Sequence, residues 1–297
     1  MDILLAKSQK FQMNKLRSFL LLLCPALFPV FSLAKALPDQ LAVPGGIIKI
    51  PVAEMSQKRP KAFYGNNRVA IKASKNQWIA IVGVPLSEKI GRHKITVKTA
   101  DNSQQFSFSI ADKKYPAQYL TIKKKRMVTG FTEADLKKIN TDKKAMDRAK
   151  SVWTEQPIDA DFIAPVDGRL SSLFGLKRFF NEIPKRPHNG LDIAADSGTP
   201  ILAPASAKVI DTGNYYFNGN TVFLDHGQGL LSAYLHMNSI KVKPGQLVKQ
   251  GDTLGTVGAT GRVTGSHLHW IVYLNKSPVD PALFISKDIA RLEARNR

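Results

Sequence analysis

Residues 265–274 read GSHLHWIVYL and place two histidines one residue apart at the start of an apolar run. Successive side chains of a β-strand point to opposite faces of its sheet. The alternation in this stretch therefore predicts a strand that carries His267 and His269 on the same face. The whole chain has 6 histidines, so a strand that presents two of them together is a candidate metal-binding or catalytic element.

The region around this strand has the same character. Between about residues 162 and 284, Gly and Pro turns separate stretches with strand character, which predicts a β-rich domain. The stretches include ILAPASAKVIDTG, NTVFLDHG, LLSAYLHM and GDTLGTVGATG. Groups that bind a metal or carry a proton recur in this region, namely His188 and Asp192 in RPHNGLDIA, His226 in LDHG and His236 in YLHM.

His188 and Asp192 form the first part of a candidate zinc site. Zinc accepts histidine nitrogen and carboxylate oxygen, and catalytic zinc sites use three protein ligands and leave a position for water. A straight strand would hold residues four apart at about 13 Å. The intervening Asn189 and Gly190 are strong turn formers that fold the segment back. One histidine of the HLH triplet then completes a set of three ligands.

The other histidines near this site have a candidate role in proton transfer. A metal lowers the pKa of bound water, and a nearby imidazole takes up the proton and delivers it to the leaving group. His236 and the HLH histidine that does not bind the metal are the candidates. Spacing leaves open which of His267 and His269 is the ligand. His226 stands at the end of a predicted strand, and we expect a structural role for it.

Residues 41–123 predict a small all-β domain of sandwich or barrel type. Apolar or alternating runs are separated by turn-forming stretches such as YGNN and ADNS. The runs are GIIKIPV, RVAIKA, WIAIVGV, HKITVKT and FSFSI. No reactive cluster appears in them, and we expect His93 to be a solvated residue at a strand edge. This domain would position or shield its neighbour.

A basic connecting segment follows, with KKKR at residues 123–126. Thr132 can cap a helix, and five apolar residues recur after it at helical spacing. They are Leu136, Ile139, Met146, Ala149 and Trp153. The lysines of this helix indicate a solvated face rather than a nucleic-acid site, because no aromatic residues interleave with them.

The first 36 residues have the pattern of a signal peptide. Basic residues precede the apolar core FLLLLCPALFPVF, and SLAKA offers small residues at Ala34 and Ala36 for cleavage. We expect an exported protein; the alternative is an uncleaved membrane anchor, which Pro25 and Pro29 disfavour. Cleavage removes Cys24, the only cysteine in the sequence. Any metal must then be held by histidine and carboxylate.

The charge of the chain favours a polyanionic environment. The sequence has 43 Lys and Arg against 23 Asp and Glu, a formal net charge of +20. Nucleic acid, an anionic membrane surface and an acidic polymer all suit this charge. Export argues against nucleic acid, so we expect retention by anionic polymers of the cell envelope, through attraction that weakens with salt.

Three motifs together resemble the M23 family of zinc metallopeptidases, the lysostaphin and LytM type. They are HNGLDIAA at 188–195, YLHM at 234–237 and TGRVTGSHLHW at 260–270. The resemblance implies one zinc ion per chain, bound by His188, Asp192 and His269, with His236 and His267 as catalytic histidines. Upstream, VPGG at 43–46 and IVGVPLSEKIG at 81–91 are similar to the N-terminal β-domain of some M23 proteins.

The resemblance implies a mainly β protein with a small sandwich-like N-terminal domain, a connecting helix and a twisted antiparallel LytM-type sheet. The expected boundaries are a signal peptide at 1–36, the N-terminal β-domain at 37–122, a basic linker with the helix at 123–160, the peptidase domain at 161–285 and a tail at 286–297. The segment NEIPKRP before His188 is an insertion beside the expected groove.

The function implied is that of an exported zinc metalloendopeptidase in the periplasm or cell envelope of a Gram-negative bacterium. Its expected substrate is peptidoglycan, cleaved at peptide cross-links and in particular at D-alanyl–diaminopimelate bonds. The alternative is a catalytically inactive LytM-type module that binds peptidoglycan and activates cell-wall amidases. All five positions of the motif are filled here, which favours the enzyme.

Overall fold

A computed structural model of the chain describes residues 37–123 and 125–295. The protein is mostly β, with a barrel-like N-terminal domain and a C-terminal β-sheet domain, which confirms the predicted fold class. The predicted signal peptide lies outside the described residues. In the ranges that the structure describes, no helix is long and apolar enough to cross a membrane.

The N-terminal domain is one six-stranded antiparallel sheet with the strand order β1-β4-β3-β2-β5-β6. Apolar residues on one face of these strands, among them Ile50, Val82 and Ile95, form its own core. The strands are β1 (Ile47–Glu54), β2 (Lys61–Tyr64), β3 (Asn67–Ser74), β4 (Gln77–Gly83), β5 (Gly91–Lys98) and β6 (Ser103–Ile110). This barrel-like sheet is one of the two arrangements, sandwich or barrel, expected from the sequence.

The connecting segment contains strand β7 (Ala117–Leu120), a 3-10 helix (Lys125–Met127) and helix α1 (Glu133–Lys150). Thr132 caps α1 in a capping box with Asp135, whose carboxylate also binds Arg126. The buried face of α1 agrees with the predicted one at Met146 and Ala149, which pack against the sheet, but not at Leu136. Leu136 is 48% exposed, whereas Asp142 is buried and accepts a hydrogen bond from the backbone N–H of Tyr216. A buried carboxylate with a fixed partner interrupts the apolar periodicity.

The C-terminal domain is built on a sheet with the strand order β17-β13-β14-β15-β19-β11-β8, and β20 pairs with β19. Two smaller sheets accompany it, β10-β9-β7 and β12-β18-β16. The strands are β8 (Arg169–Ser172), β9 (Lys177–Phe180), β10 (Ile183–Pro184), β11 (Leu191–Ala194), β12 (Pro200–Leu202), β13 (Ala207–Tyr215), β14 (Gly219–Asp225), β15 (Leu231–Met237), β16 (Ser239–Ile240), β17 (Leu247–Val248), β18 (Thr253–Thr256), β19 (His267–Leu274) and β20 (Ser277–Val279).

Both faces of the large sheet are covered. On one face Leu268, Trp270 and Tyr234 lie in the main hydrophobic core, and all three are fully buried. On the other face, apolar residues of β14, β15 and β19 pack with Ala149 of α1. The histidines of β19 belong to this second face by alternation, so the candidate site shares a side of the sheet with α1.

Strand β7 joins the C-terminal half of the chain. It pairs in parallel with β9, so that Gln118 lies opposite Arg178. The expected N-terminal domain at 37–122 included this strand, but its strand partner belongs to the expected peptidase domain. The β9–β10 hairpin contains part of the NEIPKRP insertion.

The expected C-terminal tail contains a helix. After a 3-10 helix (Pro281–Phe284), helix α2 runs over Ser286–Ala294. Leu292 is fully buried in the main core, and Asp288 accepts a hydrogen bond from the backbone N–H of Ala164 at 2.9 Å. The sequence does not indicate this helix, because its short apolar pattern follows directly on a strand-rich region.

Candidate metal centre

The register of two strands places Asp192 beside His269. Strands β11 and β19 are antiparallel neighbours, with Asp192 opposite His269 and Ala194 opposite His267. Directly opposite residues of neighbouring strands point to the same face of the sheet. The carboxylate and the imidazole therefore face each other without any unusual backbone geometry.

His188 approaches the same point through a bend at Gly190. The backbone N–H of His188 donates to Leu176 O at 2.8 Å, which anchors the segment before β11. A Cβ on Gly190 would lie 2.3 Å from Trp270 O and 3.0 Å from Cε1 of His269. Only glycine allows this close approach between the HNGLD segment and β19. The expected fold-back thus occurs, with glycine needed for clearance.

The ligand-type atoms of His188, Asp192 and His269 converge. His188 Nε2 lies 3.0 Å from Asp192 Oδ1 and 2.9 Å from His269 Nδ1, and His269 Nδ1 lies 2.6 Å from Asp192 Oδ1. All three residues are buried. Among the described residues, these three form a group of His, Asp, Glu or Cys side chains whose ligand atoms are close enough together to hold one metal ion.

The outer contacts of this triad fit it for a cation. His188 Nδ1 donates to Leu173 O at 2.6 Å, and His269 Nε2 lies 3.2 Å from Asn189 Oδ1. When these two outer nitrogens are protonated, His188 Nε2 and His269 Nδ1 each carry a lone pair. Both of these inner nitrogens face Oδ1 of Asp192. Three acceptors at such distances repel one another unless a cation or proton lies among them. Zinc ligands in proteins have this kind of outer support.

His236 reaches the site through a local break in β15. Tyr234 points into the main core, and regular alternation would send His236 to that same face. Instead β15 shifts its register against β14, and His236 has a left-handed backbone with φ of 64°. Its ring lies 5.0 Å from that of His267 and 6.0 Å from that of His269, between centroids. A strained non-glycine residue of this kind is typical of functional sites.

His267 is the most accessible of these histidines, with 16% of its side chain exposed. Its Nδ1 lies 2.9 Å from Gly265 O, and its Nε2 lies 3.8 Å from Asp192 Oδ1. The ring therefore points its free nitrogen toward the triad. His236 has a similar arrangement, because its Nδ1 lies 2.9 Å from Thr260 O. Each of the two rings is left with Nε2 as a proton acceptor.

Burial dominates the electrostatics of the site. It lowers the pKa of His269 to about 4, against the raising effect of Asp192. Burial, together with His267 and His269, holds the pKa of His236 well below its usual range. Burial alone would raise the pKa of Asp192, but His188 and His269 outweigh it and the net pKa lies well below the usual value. Neutral imidazoles beside an ionised carboxylate suit metal binding.

The sequence did not indicate the residues that support the triad. Arg178 of β9 donates to Asp192 Oδ2 at 2.5 Å and to Ser172 Oγ at 3.1 Å. Gln118 of β7 accepts from both Arg178 and Ser172 at 3.2 Å. Their partners come from distant parts of the chain, so no local pattern could have revealed them.

Two histidines lie outside the cluster. His226 is buried, and its ring nitrogens contact Ser206 O at 3.2 Å and Ser232 Oγ at 2.8 Å. This environment is that of a structural residue. His93 was expected to be solvated at a strand edge, and this expectation was wrong. The side chain is half-buried in β5, and its Nδ1 lies 3.0 Å from the Tyr64 hydroxyl.

A buried set of two imidazoles and one carboxylate, with two more histidines beside it, is the arrangement of a metal-dependent hydrolase. Family models agree with this class. Residues 186–281 match the model of peptidase family M23, and residues 40–113 match that of the family M23 N-terminal domain.

Individual relatives give the same result. A crystal structure assigned to peptidase M23 from Pseudomonas aeruginosa is 40% identical, with a TM-score of 0.71 over 83% of this chain and 96% of that one. The chain is 42% identical to the peptidoglycan DD-endopeptidase ShyA of Vibrio cholerae over 39% of its length and 28% of the relative. It is 38% identical to the cell division protein DipM of Caulobacter vibrioides over 44% of its length and 23% of the relative.

The chain belongs to peptidase family M23. It spans only about a quarter of the length of the curated relatives that it matches.

Proposed function

We propose that the chain is an exported zinc metalloendopeptidase that hydrolyses peptide bonds in peptidoglycan cross-links. The observation that carries this proposal is the convergence of three buried ligand-type atoms, from His188, Asp192 and His269, within 3.0 Å of one another. Membership of the M23 family supports a metallopeptidase. The donor set fits one zinc ion per chain.

A zinc ion bound there supplies Lewis-acid polarisation of a water molecule and of the scissile carbonyl. His236 is the proposed general base, because its Nδ1–H donates to Thr260 O and its Nε2 is free to take a proton. Its lowered pKa keeps the ring neutral at pH 7. His267 also directs its Nε2 toward the triad and is a second group that can accept a proton there. Either ring can return the proton to the leaving amine.

For the substrate, we propose the D-alanyl–diaminopimelate cross-link. The support is the similarity to a relative named as a peptidoglycan DD-endopeptidase, which covers 120 residues. For the location, we propose the periplasm of a Gram-negative cell. The basic, apolar and small-residue pattern of the first 36 residues supports export.

A second candidate function is a metal-free module that activates a cell-wall amidase. It predicts that purified protein contains no zinc and stimulates a partner amidase without releasing peptides itself. The filled donor set argues for the enzyme, because an unneeded triad of mutually repelling acceptors has no structural benefit. Zinc content measured by mass spectrometry separates the two functions.

The decisive experiment is digestion of purified sacculi, with one set containing diaminopimelate cross-links and another containing glycine bridges. We expect cross-linked dimers of the first kind to be converted to monomers, as followed by mass spectrometry of the products. The control is His236→Asn, because asparagine tolerates the left-handed backbone at this position. This variant should retain zinc and lose at least about 100-fold in rate. Zinc-loaded wild-type protein that releases no peptide from either wall would refute the proposal.

A further inference from the structure

The two carboxylate oxygens of Asp192 have different partners. Oδ1 faces the ring nitrogens of His188 and His269, while Oδ2 accepts a hydrogen bond from Arg178 at 2.5 Å. The Arg178 side chain is only 15% exposed, and that of Asp192 only 10%. A buried charge-assisted hydrogen bond therefore engages one oxygen and leaves the other for the metal.

Arg178 is itself held on two further sides. The same Nη2 that contacts Asp192 donates to Ser172 Oγ, and Nε donates to Gln118 Oε1 at 3.2 Å. Ser172 in turn donates to Gln118 Oε1 at 3.2 Å. The guanidinium plane is thus fixed by a ring of contacts between Arg178, Ser172 and Gln118. Gln118 comes from β7, which precedes the connecting helix.

We propose that Arg178 is a positioning residue that keeps Asp192 a one-oxygen metal ligand, and that Gln118 of β7 completes this support. The inference rests on the proposed zinc site. A carboxylate that binds through one oxygen leaves a metal position open for water, whereas two-oxygen binding would fill it. The connecting segment thereby contributes to the metal centre although none of its residues is a ligand.

Lysine cannot replace arginine in this network. A planar guanidinium presents several N–H groups in a fixed fork, so Arg178 contacts Asp192, Ser172 and Gln118 at once. An ammonium group on a flexible stem is a point charge that can reach Asp192 but cannot reproduce the fork. Arg178→Lys therefore separates charge from geometry, because it keeps the first and loses the second.

If Arg178 positions Asp192, its substitution should weaken zinc binding, and a chelator-competition titration measures this change in affinity. Arg178→Ala should weaken zinc binding about 10–100-fold, the usual effect of losing an outer partner of a ligand. Arg178→Lys should give a partial loss, and Gln118→Ala a loss smaller than that of Arg178→Ala. Matched controls are Arg295→Ala, which removes an exposed ion pair with Asp167, and Gln105→Ala, which removes an exposed contact with Lys94. Both controls should match wild type.

A second measurement detects positioning rather than folding. With cobalt in place of zinc, the visible absorption bands report coordination geometry, and they should change in the Arg178 variants but not in the controls. At saturating zinc, kcat on a soluble cross-linked peptide should fall while KM stays the same, because the guanidinium of Arg178 is largely buried and bonded to protein groups.

The outcomes are distinguishable from failure of the proposed function. Zinc binding by wild type without peptide release would refute the endopeptidase, yet the variant affinities would still test Arg178. Zinc affinity that is unchanged or higher in Arg178→Ala would overturn the positioning role, since it would mean that the nearby positive charge only repels the metal. If Arg178→Ala does not fold, Gln118→Ala and Arg178→Lys decide the question.

Discussion

His226 shows how burial alone controls an imidazole in this protein. It contacts one backbone carbonyl and one serine hydroxyl, and its ring lies 4.7 Å from that of Phe162, between centroids. Burial lowers its pKa from the usual 6.5 to about 4, and the contact with Ser206 offsets this only in part. The folded state therefore holds His226 neutral where the unfolded chain would protonate it.

This difference predicts a loss of stability in acid. Between pH 6.5 and 4 the unfolded state binds a proton at His226 that the folded state does not, so stability falls as the pH falls. The loss amounts to about 1.4 kcal/mol per pH unit and about 3 kcal/mol in total. Urea unfolding of zinc-free protein should show this slope, and His226→Gln should lack that part of it. A difference between the two proteins that does not change with pH would contradict the assignment.

The candidate metal centre contains some residues that the sequence could indicate and others that it could not. His267 and His269 follow from strand alternation, which is a local property. His188 and Asp192 were indicated by their spacing across a turn, with one HLH histidine as third ligand, but only the family resemblance chose His269 rather than His267, because strand pairing is not a local property. Arg178 was invisible for the same reason, because its contacts span three separate segments of the chain.

At the scale of elements, the two helices illustrate the limits of apolar periodicity. The apolar periodicity of α1 predicts Leu136 on its packed face, and the expected domain boundaries leave residues 286–297 as a tail. In the structure α1 is held through Asp142, which binds Lys138 at 2.6 Å as well as the backbone of Tyr216. Helix α2 instead inserts Leu292 into the main core. Tertiary hydrogen bonds and burial thus override the local pattern.

A pair of matched leucine substitutions tests this assignment. Leu292→Ala should destabilise the protein by about 2–5 kcal/mol, because it leaves a cavity in the core. Leu136→Ala removes the same atoms from a helix position that is 48% exposed, and it should cost no more than about 0.5 kcal/mol. Urea denaturation with a common slope measures both. Equal effects would place the two leucines in the same environment and contradict the structure.

At the scale of the whole molecule, two buried amide side chains join the N-terminal sheet to the C-terminal domain. Asn275 accepts from the backbone N–H of Gly83 at 2.7 Å and donates to its carbonyl at 2.9 Å. Gln228 does the same with Ile71, at 3.1 and 3.0 Å. Each amide satisfies both polar groups of a strand residue, as a neighbouring strand would. These contacts are directional and buried, so they fix the orientation of the two domains.

Removing these amides should loosen the domain junction without unfolding either domain. Asn275 and Gln228 have φ of 40° and 48°, so glycine is the substitution that removes the side chain without backbone strain. In the double variant Asn275→Gly/Gln228→Gly, the hydrogen-exchange rates of the Gly83 and Ile71 amides should rise by about 10-fold or more. Each hydrogen bond lost contributes about 1 kcal/mol or more to the protection of its amide. Asn76→Gly, in an exposed turn with φ of 62°, is the control. Unchanged exchange in the double variant would show that other contacts hold the junction.

The net charge of +20 acts on the molecule as a whole, and it predicts how the protein is retained at the proposed substrate. Peptidoglycan stem peptides carry carboxylates, so a basic hydrolase should bind sacculi through attraction that salt screens. Raising the ionic strength from about 0.01 M to about 1 M shortens the screening length from about 30 Å to about 3 Å. Sedimentation of His236→Asn protein with purified sacculi should show binding at the lower salt and release at the higher, because this variant cannot digest its support. Binding that does not change with ionic strength would contradict retention by charge.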